Sequence, residues 1–306
     1  MSDASPITLG CAGLRSALTI EPSFGCVATS WTINGEELLA LPSPREEFLR
    51  STRTGGIPLL YPYANRLRHD RFHCAGREVD LSRELSLKRD ASGLPMHGLL
   101  LRWPHWVISR QSESVLEARL DWGAHAWLMD AYPFAHTLAL RWELGEFEGR
   151  AAITISTAIH ADQGMAVPVA FGWHPYFLVQ SASHAHADLP IAREVSLLAS
   201  GLPALPLILG EAKAHMAVPV GNAIDALFEL PTTQVRAMVS QPHRDLAIDF
   251  VDGYRAMQVF SPLGANYIAV EPMTAPTSAL TDGTADTVGE GRIATYVFRV
   301  HAPCPR

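Results

Sequence analysis

The sequence is poor in cysteine and lacks any close cysteine pair. Its four cysteines, Cys11, Cys26, Cys74 and Cys304, are scattered over 306 residues without a CxxC spacing. Disulfide frameworks and cysteine-based zinc sites both depend on such spacing. The pattern argues against either one and indicates free thiols in a reducing compartment.

Runs of positive charge are also missing. The formal net charge is -7, and no block of Lys or Arg stands out along the chain. Binding to nucleic acid requires a basic stripe that faces the phosphates. We therefore expect no nucleic-acid partner.

The sequence has no hydrophobic run long enough to cross a bilayer. Runs such as LPALPLILG, at 202–210, are short and broken by proline, whereas a membrane-spanning helix needs about 20 apolar residues. The N-terminal stretch lacks the basic region and apolar core of a signal peptide. Hydrophobic residues make up 48% and charged residues 18% of the chain, which is a globular composition. We expect a cytoplasmic protein that does not bind membranes.

Familiar cofactor and nucleophile motifs are absent too. The sequence contains no GxGxxG, no P-loop and no GxSxG elbow, so no motif indicates nucleotide binding or serine-hydrolase chemistry.

Two groups of histidines suggest a metal site. His184 and His186, with Asp188, would share one face of a strand, and His69 and His73 would share one face of a helix. Neither group has a convincing further ligand, so we expect no metal and no cofactor.

Proline and glycine, by contrast, are plentiful at 22 residues each, which leaves little room for long helices. Between them, apolar and polar residues alternate in four segments: 134–144, 150–161, 246–250 and 294–300. Turn signals are present at Asn34-Gly35, Asp252-Gly253 and Asp282-Gly283. Period-two alternation is typical of half-buried strands, and one short helix is expected at 44–50, with Pro44 in its first turn. We predict an all-β protein that forms one large antiparallel β-sandwich.

Five further segments embed a polar side chain in apolar or turn sequence. They are GGIPLLYPYANRLR with Asn65 and Arg66, LPMHGLLLRW with His97, FGWHPYF with His174, GNAIDALFEL with Asp225, and NYIAVEPMTAPTSAL with Glu271. Taken singly, each has an ordinary structural explanation, such as a surface ion pair, a turn residue or a buried histidine. Only the set of five, in this order, carries functional information.

Together the segments resemble the aldose 1-epimerase family, also called galactose mutarotase-like. GGIPLLYPYANRLR is similar to the family's Asn-Arg segment, and MHG is similar to its His-Gly segment. WHPYF resembles the segment with the catalytic histidine, and VEPMTAPTSAL resembles the segment with the catalytic glutamate. These landmarks run from about residue 55 to residue 281. The resemblance implies a galactose mutarotase-like supersandwich, a large antiparallel β-sandwich that we expect to form a single domain over residues 1–306.

The resemblance also implies an enzyme, an isomerase that interconverts the α and β anomers of an aldohexose. On this basis His174 is the general acid at the ring oxygen and Glu271 is the general base at the C1 hydroxyl, on opposite sides of the sugar ring. Near neutral pH, ordinary pKa values would supply an ionised carboxylate and a partly protonated imidazole. Opening and closing a hemiacetal requires one acid and one base, so the reaction needs neither a metal nor a nucleotide.

The remaining residues of the five segments are expected to serve the substrate. The resemblance implies that Arg66 and Asp225 bind sugar hydroxyls, that His97 bonds near the ring oxygen, and that Asn65 braces the loop of Arg66. Trp173, Pro175 and Tyr176 are expected to restrict the orientation of the His174 imidazole. The expected partner is therefore a small-molecule sugar, bound by a monomer or a homodimer.

Three alternatives stay open at this point. The substrate is a free aldohexose or, as a second choice, a hexose 6-phosphate bound by arginines near the motifs: Arg53, Arg68, Arg71 and Arg102. A glycoside hydrolase would use Glu271 and Asp225 as paired carboxylates. A non-catalytic carbohydrate-binding protein could use the same fold.

Overall fold

The computed structural model describes residues 5–84, 86–190, 192–213, 216–230 and 234–304. The strands in these ranges are, in chain order, β1 (Ile7–Cys11), β2 (Ser16–Glu21), β3 (Val27–Ile33), β4 (Glu36–Glu37), β5 (Leu59–Leu60), β6 (Arg71–Cys74), β7 (Arg77–Asp80), β8 (Val107–Gln111), β9 (Val115–Asp121), β10 (His136–Phe147), β11 (Arg150–Ala161), β12 (Val167–Val169), β13 (Gly172–Trp173), β14 (Tyr176–Leu178), β15 (His186–Leu189), β16 (Arg193–Val195), β17 (Met216–Pro219), β18 (Ile224–Glu229), β19 (Val235–Ser240), β20 (Leu246–Asp252), β21 (Ala256–Ser261), β22 (Tyr267–Met273), β23 (Asp286–Val288) and β24 (Ile293–Ala302). The α-helices are short: α1 (Arg45–Phe48), α2 (Ala126–Ala131) and α3 (Ala279–Asp282).

Two large antiparallel sheets dominate the described residues. One has nine strands in the order β17-β15-β19-β20-β24-β11-β10-β9-β8, and the other has seven, including the path β16-β18-β21-β22-β13-β5 with β14 paired to β22. Among the smaller sheets, one has four strands in the order β1-β2-β3-β4, and two have two strands each, β12 with β23 and β6 with β7. The prediction of an all-β, antiparallel fold is confirmed.

The nine-stranded sheet buries the apolar faces that the alternation predicted. In β10, Leu138, Leu140 and Trp142 are at most 1% exposed, and the residues between them are half-buried. The matching faces of β11, β20 and β24 belong to the same core cluster. Removing this apolar surface from water is the main favourable contribution to folding.

The seven-stranded sheet faces the same core with one side only. Met257 and Val259 of β21 and Val270 of β22 lie in the core cluster. Because successive side chains of a strand point to opposite faces, Gln258 and Glu271 lie on the outer face of the sheet. Both are nevertheless only 2% exposed, so the outer face carries polar groups in a buried setting.

Aromatic rings connect the two sheets. The Trp173 ring in β13 lies 5.2 Å from the Trp142 ring in β10 in an edge-to-face arrangement, which is a favourable geometry for aromatic pairs. The Trp173 indole N–H donates to Thr157 Oγ1 of β11 at 3.1 Å. The strand that precedes His174 is therefore fixed firmly onto the core.

The predicted turns and the short helix fall where expected, with one change of role. Asn34 and Gly35 both have positive φ and join β3 to β4, as in a two-residue hairpin. Helix α1 follows Pro44. Asp282-Gly283, however, ends helix α3, with Gly283 in the left-handed conformation, a usual helix C-terminus.

The conformations expected for the two histidine groups were wrong. His73 lies in strand β6, so it does not share a helix face with His69. His184 ends a 3₁₀ turn at Ala182–His184 and His186 begins β15, so these two do not alternate along one strand. His186 Nε2 lies 3.2 Å from Asp188 Oδ2, so a contact between these two side chains accounts for the acidic neighbour.

All four cysteines are free thiols, and Cys26 is fully buried. In the part of the chain that the structure describes, no helix has the length and apolar character required to span a membrane. The cytoplasmic location and the single domain over 1–306 stay predictions.

His136, at the start of β10, is a buried histidine held in its neutral form. Its Nδ1 lies 2.5 Å from the Phe134 carbonyl oxygen, which only accepts hydrogen bonds, so Nδ1 carries the proton. Nε2 then accepts from the Tyr61 hydroxyl at 2.6 Å. Burial lowers the pKa of His136 to about 4, because the charged form loses its hydration.

We predict that this histidine makes the fold sensitive to acid. A folded-state pKa below the unfolded value of about 6.5 means that the unfolded chain binds the extra proton first, so stability falls as the pH drops below about 6.5. Between pH 7 and pH 5 the loss from His136 is about 2 kcal/mol. Urea unfolding at both pH values should show a smaller difference for His136→Gln than for the parent.

The exposed His243 provides the matched control, because His243→Gln removes a histidine without touching the core. An equal pH dependence of unfolding in His136→Gln and the parent would contradict the prediction.

Candidate active site

His174 lies where the outer face of the seven-stranded sheet meets the loop between β13 and β14. Its backbone N–H donates to the Pro58 carbonyl at 3.1 Å. The Tyr176 ring stacks on the imidazole at 4.2 Å and 11°, and the Tyr176 hydroxyl lies 2.9 Å from Nε2. Tyr176 therefore orients the imidazole as expected, whereas Trp173 points to the opposite face, into the core.

Glu271 lies opposite His174 on the neighbouring strand β22. The pairs Gly172–Met273 and Tyr176–Ala269 bracket them in register, so strand pairing alone brings the two side chains together. Glu271 Oε1 is 3.3 Å from His174 Nε2. This separation leaves no room for a sugar ring between the two atoms, so the expectation of groups on opposite sides of the ring was wrong.

Asn65 and His97 reach the site through two strained backbone positions. Their φ angles are +54° and +63°, values that non-glycine residues rarely adopt and that cluster at functional sites. The His97 N–H donates to the Asn65 carbonyl at 2.8 Å, which ties the two loops together. The His97 ring lies 5.5 Å from the His174 ring in an edge-on arrangement.

Gly98 is required for this approach. A Cβ atom at Gly98 would lie 2.2 Å from the Tyr61 carbonyl oxygen, and the φ angle is +71°. Only glycine allows the loop of His97 to lie this close to the segment of Tyr61.

Arg66 is held by two side chains. Its Nε donates to Asp90 Oδ2 at 2.9 Å, and its Nη1 donates to Asn65 Oδ1 at 3.2 Å. The backbone of Gly201 packs against the same guanidinium. The contact between Asn65 and Arg66 is the brace that the sequence suggested, and Asp90 is a partner that it did not reveal.

Asp225 in β18 is exposed and reaches the site through a buried glutamine. Gln258 of β21 donates from Nε2 to Asp225 Oδ1 at 2.5 Å and pairs in register with Glu271. Sequence reasoning missed Gln258, although it is the one polar residue in the apolar run AMQVF.

Burial changes the proton affinities of the site strongly. Burial, followed by the positive charge of Lys88, lowers the pKa of His174 to about 3. Burial, followed by the neighbouring Asp225, raises the pKa of Glu271 well above its ordinary value, and Arg66 opposes this shift. Burial and the charge of His174 hold the pKa of His97 well below 6.5. Ordinary pKa values are therefore the wrong guide here.

His174 and Glu271 behave as one unit with a single mobile proton. An ionised Glu271 would favour a protonated His174, but burial opposes charge on both side chains, and we take the pair as neutral overall. In the resting pair this one proton sits on Glu271, and its transfer to the imidazole leaves the net charge of the pair unchanged. The geometry suits the transfer of a proton to one group and from another.

An open cavity of about 530 Å³ lies next to His174, behind rings that contact its imidazole, although neither His174 nor Glu271 is among its lining residues. Its wall includes Tyr176 and Phe260, whose rings lie 4.2 Å and 6.3 Å from the His174 ring. Tyr267 adds another ring. The volume lies within the range of small-molecule sites, and the aromatic wall suits the apolar C–H faces of a sugar.

The four arginines considered for a phosphate differ in their surroundings. Arg68 pairs with Asp282 at 2.9 Å, and Arg71 pairs with Asp80 at 3.0 Å. Arg102 lies over the Phe24 ring at 4.0 Å and donates to backbone carbonyls. Arg53 is the one of the four that lines the cavity beside Tyr176.

Over the described residues, no group of three or more His, Cys, Asp or Glu side chains could hold a metal ion. The buried Nδ1 atoms of His97 and His174 have no hydrogen-bond partner within these residues.

Comparison with known proteins identifies the family of this chain. A model described as aldose 1-epimerase matches residues 16–291, and the chain belongs to the aldose 1-epimerase family. No curated protein sequence matches it significantly.

Solved structures share the fold at low sequence identity. The Slr1438 protein from Synechocystis sp. PCC 6803 is 20% identical with a TM-score of 0.80, over 98% of this chain and 96% of that one. A galactose mutarotase-like protein from Clostridium acetobutylicum is 16% identical with a TM-score of 0.78, over 100% of both chains. Galactose 1-epimerase from Lactobacillus acidophilus NCFM is 15% identical with a TM-score of 0.74, over 98% of this chain and 95% of that one.

We predict that the His174 imidazole stays neutral throughout the physiological pH range. With a pKa of about 3, it should show no protonation step between about pH 5 and pH 8. NMR of protein labelled with ¹⁵N in its histidines checks this, and the spectrum of His174→Asn assigns the signal. A titration of that signal in this interval would contradict the neutral pair.

Proposed function

We propose that the chain is an aldose 1-epimerase, a mutarotase that interconverts the α and β anomers of an aldohexose. The single observation that carries the proposal is the 3.3 Å contact between His174 Nε2 and Glu271 Oε1 beside the sugar-sized cavity. Family membership and the order of the five motif segments support it. We further propose that residues 1–306 form one domain, as the family match over most of the chain suggests.

The reaction needs one proton taken and one proton given. The shared proton first passes from Glu271 to His174. Glu271 then takes the proton of the C1 hydroxyl while the protonated His174 gives its proton to the ring oxygen, and the bond between C1 and the ring oxygen breaks. Rotation about the C1–C2 bond turns the aldehyde over, and the reverse transfers close the ring on its other face. Both oxygens are bonded to C1, so a base and an acid that contact them lie close together, in keeping with the 3.3 Å separation.

The other motif residues would hold the sugar. Arg66 and Asp225 are the charged groups whose fields act on Glu271, so we assign them to hydroxyls near C1. His97 lies against the His174 ring, so we assign it to the neighbourhood of the ring oxygen. Asn65 supports Arg66. No metal or cofactor enters these steps.

We predict that Glu271→Gln folds normally and loses nearly all anomer interconversion. The amide keeps the shape but accepts no proton, and each positioned proton transfer is typically worth ~10²–10⁴ in rate. Polarimetry on freshly dissolved glucose and galactose measures the loss. His174→Asn should also be inactive, whereas retained activity would move the acid role to His97.

The same assays separate the alternatives. Full activity in Glu271→Gln would overturn the assignment of the base. Release of reducing sugar from a disaccharide would indicate a glycoside hydrolase, and binding without turnover by the parent would indicate a carbohydrate-binding protein.

A second prediction concerns the brace of Arg66. A Cβ atom at Gly201 would lie 2.8 Å from Arg66 Nη1, so Gly201→Ala should displace the guanidinium from its place. The loss of one charged hydrogen bond to the sugar should raise KM about tenfold with a smaller effect on kcat.

Gly164→Ala is the matched control. Gly164 has a φ angle of +72°, close to the +73° of Gly201, but a Cβ atom there would contact nothing within 4 Å. An equal change of KM in both variants would attribute the effect to backbone strain and not to Arg66.

A further inference from the structure

Lys88 is one of only two lysines in the chain, and it lies beside the candidate site. Its carbonyl accepts the N–H of Met96, the residue before His97, at 2.8 Å. Lys88 lines the 530 Å³ cavity together with Tyr176, and it lines a neighbouring cavity of about 630 Å³ together with Gly98. These contacts place Lys88 next to the segments that carry both histidines of the site.

The Lys88 side chain has no partner that would hold it as an ammonium ion. No hydrogen bond or ion pair of this side chain occurs within the described ranges, and none of the described residues that line the two cavities is Asp or Glu. The residue is half-buried, and a half-buried charge without a partner is costly. Burial, followed by the charge of Arg102, lowers the pKa of Lys88 to about 8, so a larger share of this amine is neutral at pH 7 than of an ordinary lysine.

A neutral lysine amine is a nucleophile toward aldehydes. Enzymes that form imines with carbonyl substrates use lysines that are desolvated in a pocket or placed beside another cation. Lys88 meets both conditions, because it is half-buried and the charge of Arg102 acts on it. Lys213, the other lysine, is exposed, so it lacks the first of them.

The proposed reaction generates an aldehyde in this part of the molecule. When the bond between C1 and the ring oxygen breaks, C1 becomes the aldehyde carbon of the open-chain sugar, and it turns over beside His174. The charge of Lys88 acts on both His97 and His174, so the amine lies within electrostatic reach of the group that faces the ring oxygen. Its flexible four-carbon stem lets it move toward C1. A bound aldehyde and a nearby amine react at a high effective concentration.

We propose that Lys88 is a covalent modification site that forms an imine with the open-chain aldose produced at the catalytic pair. The inference rests on the proposed function for its supply of aldehyde. The Nζ lone pair adds to C1, and one amine proton moves to the aldehyde oxygen, which gives a carbinolamine. The carbinolamine hydroxyl then leaves as water together with the second amine proton, and the bond between C1 and Nζ becomes double. No oxidant or reductant is consumed, and hydrolysis returns the amine and the sugar.

The imine changes what the bound sugar can do. It withholds C1 from ring closure, so the modified enzyme exchanges no anomers until the imine hydrolyses. The reactive class is reducing sugars whose open-chain form reaches the site. An alditol such as sorbitol has no carbonyl and does not react.

Sodium cyanoborohydride tests the proposal, because it reduces an imine to a stable secondary amine. The parent is incubated at pH 7 with glucose and this reagent, and the protein is analysed by intact mass and peptide mapping. The expected result is one glucose-derived adduct on Lys88, formed at least about tenfold faster than any adduct on Lys213 because more of the Lys88 amine is neutral. Mutarotase activity should fall in proportion to this adduct. Sorbitol in place of glucose should give no adduct.

Variants of the two lysines show whether the adduct causes the loss of activity. Lys88→Arg and Lys88→Gln should carry no adduct at this position and should keep the activity that each has before treatment. Lys213→Arg should be labelled and inactivated like the parent. Equal labelling of both lysines in the parent would overturn the site, and so would equal inactivation of the parent and the Lys88 variants.

Glyceraldehyde separates failure of this inference from failure of the proposed function. This three-carbon aldehyde forms no six-membered ring, and it supplies a carbonyl without catalysis. Glu271→Gln should lose the preferential labelling of Lys88 by glucose, because it opens no ring, and should keep the labelling by glyceraldehyde. Undiminished labelling of Glu271→Gln by glucose would mean that the aldehyde comes from solution, which overturns its supply by the catalytic pair.

A parent that interconverts no anomers would refute the proposed function. The glyceraldehyde reaction then decides on Lys88 by itself. Labelling that is at least about tenfold faster at Lys88 than at Lys213 supports the reactive amine, and equal rates at the two lysines overturn it.

Discussion

The burial of one imidazole against one carboxylate is the constraint on which the site depends. Strand register places His174 opposite Glu271, and burial disfavours charge on both. Neither side chain can ionise cheaply alone, because transfer of a charge out of water is costly. One proton shared between the two side chains keeps the pair neutral overall. The stacked Tyr176 ring and its hydroxyl, which also lies 2.6 Å from Thr54 Oγ1, hold the arrangement in place.

Much of the fold follows from the sequence, because period-two alternation is a local property. Strands β10, β11, β20 and β24 carry it over their length. The error at His73 has an equally local cause. A spacing of four residues fits a helix, but Ala75 and Gly76 both adopt positive φ and turn the chain from β6 to β7. This turn chemistry outweighs the histidine spacing.

The residues of the candidate site could be predicted from the sequence only where they lie in one of the motif segments. His97, His174 and Glu271 belong to recognisable segments, whereas Gln258, Asp90 and Lys88 have no such signal. Their relation to the site arises from pairing between strands and loops that are distant in sequence, as in the bond of Gln258 to Asp225. The pKa shifts could not be predicted from the sequence either, because burial is a property of the folded chain. Ordinary pKa values predict an ionised Glu271 and a partly protonated His174, whereas burial favours the neutral form of each.

The reversibility of anomer exchange explains why a pair with one proton suits this chemistry. Ring opening takes a proton at C1 and gives one at the ring oxygen, and closure does the reverse, so the roles of His174 and Glu271 exchange within each turnover. A pair in contact at 3.3 Å restores its starting state by moving a single proton. Lys88 on the histidine side and Asp225 on the glutamate side oppose charge on these two groups, which keeps the pair neutral between turnovers.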